Sequence, residues 1–191
     1  MGMPSSGQEG AEPWLANSGG RKFVKEEDIQ RLVSKQEIQE VLCNYCRGLD
    51  RMDKDLAYSV WHEHGTALYH DMYEGTGRGF VDWVWEAHAA MERHSHQITN
   101  SLMTIVGDKA TSETYVTVVL WTKPDAAGRQ QEIIGRGRYL DTWSKRTGRW
   151  GIDHREHILD MQTIHDLNRA YVSGVSARDT SDPSFHLLNK N

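Results

Sequence analysis

The sequence has only two cysteines in 191 residues, and Cys43 and Cys46 have no second pair with which to complete a zinc site or a disulfide framework. Both fall in an apolar-periodic stretch and read as reduced, buried thiols. A basic excess is also missing: the formal net charge is -5 with ten histidines neutral. Without it, phosphate backbones and acidic membranes are poor partners, so neither nucleic acid nor membrane binding is expected. No run approaches the roughly 18 consecutive apolar residues of a membrane span. The N-terminus lacks a basic region followed by an apolar one. The expectation is a soluble, cytoplasmic protein.

Aromatic residues, by contrast, are plentiful. Seven tryptophans and seven tyrosines suit either a bulky core or an aromatic-lined pocket, and composition does not choose between them. The length favours one core with loose ends. Residues 1–20 are rich in Gly, Ser and Pro, with only Trp14 and Leu15 to bury, and are expected to be disordered. Residues 21–170 are expected to form the domain, and 171–191 a polar C-terminal arm.

Ser34 with Glu37 three residues on has the form of a capping box, which places a helix start at Ser34. From there Ile38, Val41, Leu42, Tyr45, Cys46 and Leu49 recur at helical spacing as one apolar stripe, with Asp50 at its margin. Asp53 reads as the cap of a short helix over Lys54 to Trp61. A strand over Thr66 to Asp71, a loop marked by Gly75, Gly77 and Gly79, and a third helix over Phe80 to Arg93 follow. The remainder alternates and is rich in Val, Ile, Thr, Tyr and Trp. His94 to Val106, Lys109 to Lys123, Gln130 to Lys145 and Arg149 to Gln162 read as four strands joined at hairpin lengths, an antiparallel meander. Helices first and a sheet afterwards define the α+β class.

The histidine pairs His62/His64 and His94/His96 could each offer two imidazoles on one strand face to a metal. No third ligand stands at a suitable spacing, so no metal is expected. On residue type alone, His96 is a core or surface histidine, Asp50 a helix-end residue, Tyr45 a packing residue and Arg155 a partner of Asp153 or Glu156. Strict alternation puts Arg155 on the face opposite Trp150; a bulge reverses that.

Taken in order, Tyr45 with Leu49-Asp50-Arg51-Met52-Asp53, His96 with Asn100, Gly137-Arg138-Tyr139-Leu140-Asp141, and Gly148-Arg149-Trp150-Gly151-Ile152 with Arg155 form a signature. Over about residues 27 to 165 the chain resembles the SnoaL-like branch of the nuclear transport factor 2-like superfamily. The resemblance implies a cone-shaped half-barrel of curved antiparallel or mixed sheet covered by three N-terminal helices, enclosing a hydrophobic cavity. It also implies a cofactor-independent lyase of the dehydratase type and a homo-oligomer, trimer or dimer. Carried over, His96 is the general base, Asp50 its orienting partner, Tyr45 a donor to a leaving oxygen and Arg155 a partner for developing negative charge. The first strand departs from the usual pattern with His62-Glu63-His64-Gly65, so no particular substrate is carried over. Tyr58, Trp61, Tyr69, Arg78, Trp85, Tyr115 and Trp121 are the expected pocket residues and suit an aryl substrate. Carbon-carbon cleavage that releases formaldehyde from an arylpropane diol, isomerisation, and ligand binding without catalysis are the alternatives within the same resemblance.

Overall fold

The computed structural model describes residues 24–168 and 170–188; the expected disordered segment 1–20 lies outside them. The chain runs α1 (Glu26–Asp50), α2 (Lys54–Ser59), β1 (Trp61–Tyr69), β2 (Tyr73–Thr76), α3 (Gly77–Ala89), β3 (Met91–Val106), β4 (Lys109–Thr122), β5 (Gln131–Arg146), β6 (Arg149–Asp166) and α4 (Pro183–Leu188). One six-stranded sheet has the order β2-β1-β6-β5-β4-β3. β3 to β6 form the antiparallel meander, and β1 lies parallel to β6, which makes the sheet mixed. The helices pack on one face of this curved, unclosed sheet, as the α+β reading requires.

The first helix starts eight residues before the expected cap. Glu26, Glu27 and Asp28 occupy its first turn, where carboxylates complement the free N–H groups and the helix dipole, and Ser34 is an interior residue. The apolar stripe is where it was expected: Ile38, Leu42, Tyr45, Cys46 and Leu49 are buried, while Val41 is half-buried and Cys43 is exposed rather than buried. Gly48 lets the next helix approach closely, since a Cβ there would stand 2.7 Å from the Ala57 nitrogen. Asp53 caps α2 by accepting from the Leu56 N–H at 3.1 Å.

Thr76 caps α3 through the Gly79 N–H at 3.0 Å, so the helix begins at Gly77 rather than Phe80. A Cβ on Gly77 would lie 2.1 Å from the Trp61 ring, which explains why a glycine opens the helix. α3 buries Phe80, Val81, Val84 and His88, then stops at Ala89, and Met91 to Arg93 belong to β3. In the β5–β6 turn, Thr147 and Gly148 both take positive φ, 51° and 79°, as a tight primed hairpin turn demands.

A bulge in β6 sets the inner face of the site. Thr142 pairs with His154 but Trp143 pairs with Ile152, leaving Asp153 as the extra residue. Trp150 and Ile152 are buried before the bulge, and Arg155 and His157 are buried after it. Parity therefore switches, and Arg155 faces the same interior as Trp150. The Asp153 carboxylate accepts from Ser144 Oγ at 2.9 Å, which anchors the extra residue.

Candidate active site

The concave face of the sheet, α3 and the C-terminal end of α1 enclose a cavity of about 180 Å³. Its wall is mostly apolar, with Leu49, Val84, Val116 and Val118 among the lining groups, and Tyr45, Tyr69, Tyr139, His88, His96 and His157 supply the ring polar atoms.

His96 enters from β3 and Asp50 from the last residue of α1. The Asp50 carboxylate accepts twice from the same residue: from His96 Nδ1 at 2.6 Å and from the His96 backbone N–H at 2.9 Å. Their side chains are 5% and 14% exposed. Donation from Nδ1 leaves Nε2 without a proton in the neutral ring, the form that a general base requires. Because the carboxylate also holds the backbone of the strand, the ring's orientation is set by two bonds rather than one.

Tyr45 and Tyr69 share a hydrogen bond of 2.7 Å between their hydroxyls, both buried at the cavity wall. Burial raises both phenols; Tyr69 is pushed up to about 12 and Tyr45 goes well above its ordinary value. Both are neutral donors at physiological pH. The nearby Arg155 charge opposes the rise in each.

Arg155 is placed differently from the sequence expectation. It is fully buried and holds Asp141 in a bidentate pair, Nε to Oδ1 at 2.7 Å and Nη2 to Oδ2 at 2.8 Å. Its guanidinium carbon stands 4.3 Å from the Tyr45 ring centroid and 3.9 Å from that of Tyr139. The bulge turns it inward, but behind the tyrosines, where it does not line the cavity. Its partner is a carboxylate of the protein.

Of the seven expected pocket residues, Tyr69 alone lines this cavity. Tyr58, Trp61 and Arg78 border a separate surface groove beside α1 and the β5–β6 turn. Trp85 is half-buried against the core, and a Lys54 ammonium lies 5.7 Å from its ring. Tyr115 is 43% exposed, and Trp121 donates to Glu132 at 2.8 Å. The aromatic wall is instead made by Phe80 and Trp83, with Phe80 stacked on Tyr69 at 3.8 Å. On α3, Trp83, one turn from Phe80 and 39% exposed, lines the cavity, whereas Trp85 does not.

Two histidines at the cavity were not among the sequence candidates. His88 extends the Val81 and Val84 stripe by one turn, and His157 follows Arg155 by the two-residue period of a strand, so both were legible once the bulge is known. Burial lowers His88 to about 2 and His157 to about 4, so both rings are neutral. The histidine pairs do not act as paired ligands: His62 is buried with Nε2 donating to the Ser144 carbonyl oxygen at 2.9 Å, while His64 is exposed. His94 is bonded to Leu49 and Arg178, and His96 to Asp50. Among the described residues no cluster of three or more His, Cys, Asp or Glu side chains is arranged to hold a metal. No helix among them is long and apolar enough to cross a membrane.

Comparison with solved structures finds the same fold. A Mycobacterium tuberculosis protein of unknown function is 28% identical over 69% of this chain and 75% of its own, with a TM-score of 0.58. A candidate scytalone dehydratase from Novosphingobium aromaticivorans is 21% identical over 78% and 98%, with a TM-score of 0.63. A hexachlorocyclohexane dehydrochlorinase (LinA type 2) is 17% identical over 77% and 98%, with a TM-score of 0.66. Among curated proteins no match was found. The profile of the SnoaL-like domain matches residues 30–156, two-thirds of the chain and both members of the His96–Asp50 pair, and the chain belongs to the SnoaL-like domain family.

Proposed function

We propose that this protein is a lyase that eliminates a leaving group from a small, uncharged, aromatic molecule, with His96 as general base. The observation that carries the reading is the His96–Asp50 pair, with His96 at the wall of a mostly apolar cavity. Nε2 of His96 takes the proton from a carbon or hydroxyl of the bound molecule, and Asp50 stabilises the imidazolium that results. The electron pair of the broken bond forms the new double bond as the leaving group departs. Tyr69 and Tyr45 are neutral and joined, so one hydroxyl donates to the other, which in turn donates to the departing or conjugated oxygen. The similarity to proteins described as a scytalone dehydratase and a dehydrochlorinase supports elimination as the reaction type.

The substrate is read as uncharged because, among the described residues, no cation lines the cavity wall: Arg155 lies behind the tyrosines and is paired with Asp141, and His88 and His157 are neutral. Trp83, 39% exposed at the cavity wall, gives an aryl ring a flat surface to stack on. The test is a panel of aryl alcohols and arylpropane diols scored by product mass. Loss of water marks dehydration, loss of formaldehyde marks carbon-carbon cleavage, and an unchanged mass marks isomerisation. His96→Ala should lower turnover by about 10²–10⁴ while ligand binding persists. Binding of panel members with no product from the native chain would make the protein a carrier instead.

A further inference from the structure

The C-terminal segment reaches back to the end of the molecule that holds the reactive pair. Arg178 inserts its guanidinium at the junction of α3 and β3, where Nη1 donates to the His88 carbonyl oxygen at 2.9 Å and Nη2 to that of Met91 at 3.1 Å. Nη1 also meets His94 Nδ1 at 3.0 Å. On its other side the buried His94 ring meets the carbonyl oxygen of Leu49 through Nε2 at 2.8 Å.

These two contacts allow one protonation state. An arginine is always a donor, so Nδ1 of His94 must accept; a carbonyl oxygen always accepts, so Nε2 must carry the proton. An imidazolium would turn an N–H toward the guanidinium and is excluded. Leu49 is the residue before Asp50, and His94 lies two residues before His96 on the same strand. His94 therefore ties the end of α1 to β3 one residue from Asp50 on the helix side and two residues from His96 on the strand side. We infer that Arg178 is a positioning residue for the His96–Asp50 pair, acting through His94, which it holds neutral by facing Nδ1 with a donor while the Leu49 carbonyl keeps the proton on Nε2. This rests on the reading of that pair as the reactive one.

The ionisable groups around His94 come from every element packed on it: His88 of α3, stacked at 4.0 Å, His96 of β3 at 6.3 Å between ring centroids, Asp50 of α1 and Arg178 itself. Arg178 in turn feels Arg93 and Glu92 of β3. Burial first, and then the neighbouring charges of His96 and Arg178, depress His94 to about 4 against the pull of the Leu49 carbonyl and Asp50.

The experiment follows the imidazole nitrogens and the His96 Nδ1 proton by NMR in the full chain, which needs no substrate. In the native protein His94 should remain the neutral Nε2–H tautomer from about pH 5 to 8. In Arg178→Met its midpoint should move up from about 4 toward the reference value of about 6.5, and the His96 Nδ1 proton should broaden by exchange. Arg47→Met is the control: Arg47 holds α4 through Ser184 at 2.9 Å and Phe185 at 4.9 Å without touching His94, and should leave both signals alone. His94→Gln keeps a donor and an acceptor and should preserve the His96 signal, whereas His94→Leu should lose it. An unchanged His94 midpoint, or a sharp His96 proton, in Arg178→Met overturns the inference. Should Arg178→Met not fold, identical behaviour of His94→Gln and His94→Leu overturns it just as well. None of these signals reports turnover, so their outcome is separate from that of the product-mass assay.

Discussion

The Arg155–Asp141 pair gives a sharp test of what Arg155 is for. Both side chains are fully buried and the pair is bidentate. Arg155→Met keeps the volume of the stem but leaves a carboxylate in the interior without its counter-ion, a change that costs about 3–5 kcal/mol. For a chain of this size each kcal/mol moves the melting temperature by about 2–4 °C, so a fall of about 6–20 °C is expected. Replacing both partners, Arg155→Met with Asp141→Leu, removes the orphaned charge and should recover most of the loss. The assay is urea unfolding of the native chain, each single variant and the double variant. A loss under about 1 kcal/mol, or a double variant no better than Arg155→Met alone, refutes a structural pair and returns Arg155 to the role of substrate contact.

Asp50→Asn should cost about 10³–10⁴ in turnover with little change in binding, because an amide N–H facing Nδ1 of His96 forces the proton onto Nε2; activity within about tenfold of native in a product-mass assay would count against the pair. Gly135 lines the cavity, and a Cβ there would be in ordinary contact with Leu159 at 3.4 Å, so Gly135→Val should block ligand binding in a thermal-shift titration while the unliganded melting temperature stays within a few degrees. His88, His94 and His157 are all depressed, to about 2, 4 and 4, so the unfolded state binds more protons below about pH 6.5 and stability should fall with acidification at up to about 1.4 kcal/mol per pH unit for each ring. His88→Phe should flatten that slope in urea melts at pH 5, and an unchanged slope would mean the ring is not held neutral. Leu102 and Val106 on β3 are 71% and 74% exposed, and the homo-oligomer expected from the family resemblance should appear in light scattering as a multiple of 21.8 kDa; a monomer at all concentrations would remove that expectation.

The elements themselves were written plainly. The spacing of Ile38, Leu42, Tyr45 and Leu49 fixes the buried stripe of α1, and the alternation from residue 94 onward, punctuated by Gly107-Asp108 and Thr147-Gly148, fixes the meander. Element ends were less legible. A capping box at Ser34 is a local preference worth about a kcal/mol, and an acidic first turn further back with continued helical pairing outweighs it. β2 was missed because four residues with two exposed positions carry too little pattern to stand out from a loop.

The side chains at the site divide along the same line. His96, Asp50 and Tyr45 came from a sequence signature, and each sits where its own helix or strand period points it. Which aromatics reach the cavity was not local information: Trp83 and Trp85 are equivalent in composition, and only the rotation of α3 against the sheet brings Trp83, itself 39% exposed, to the cavity wall. Arg155 was decided by one extra residue, Asp153, whose bulge reverses the facing of Arg155 and His157, and a period of two cannot reveal where it slips. The partner of Arg155 lies on the neighbouring strand, and that of His94 lies in an arm more than eighty residues later. Sequence determines which residues can be buried and what each can donate or accept; the fold alone brings distant donors and acceptors within 3 Å, and so decides which of them are left free to do chemistry.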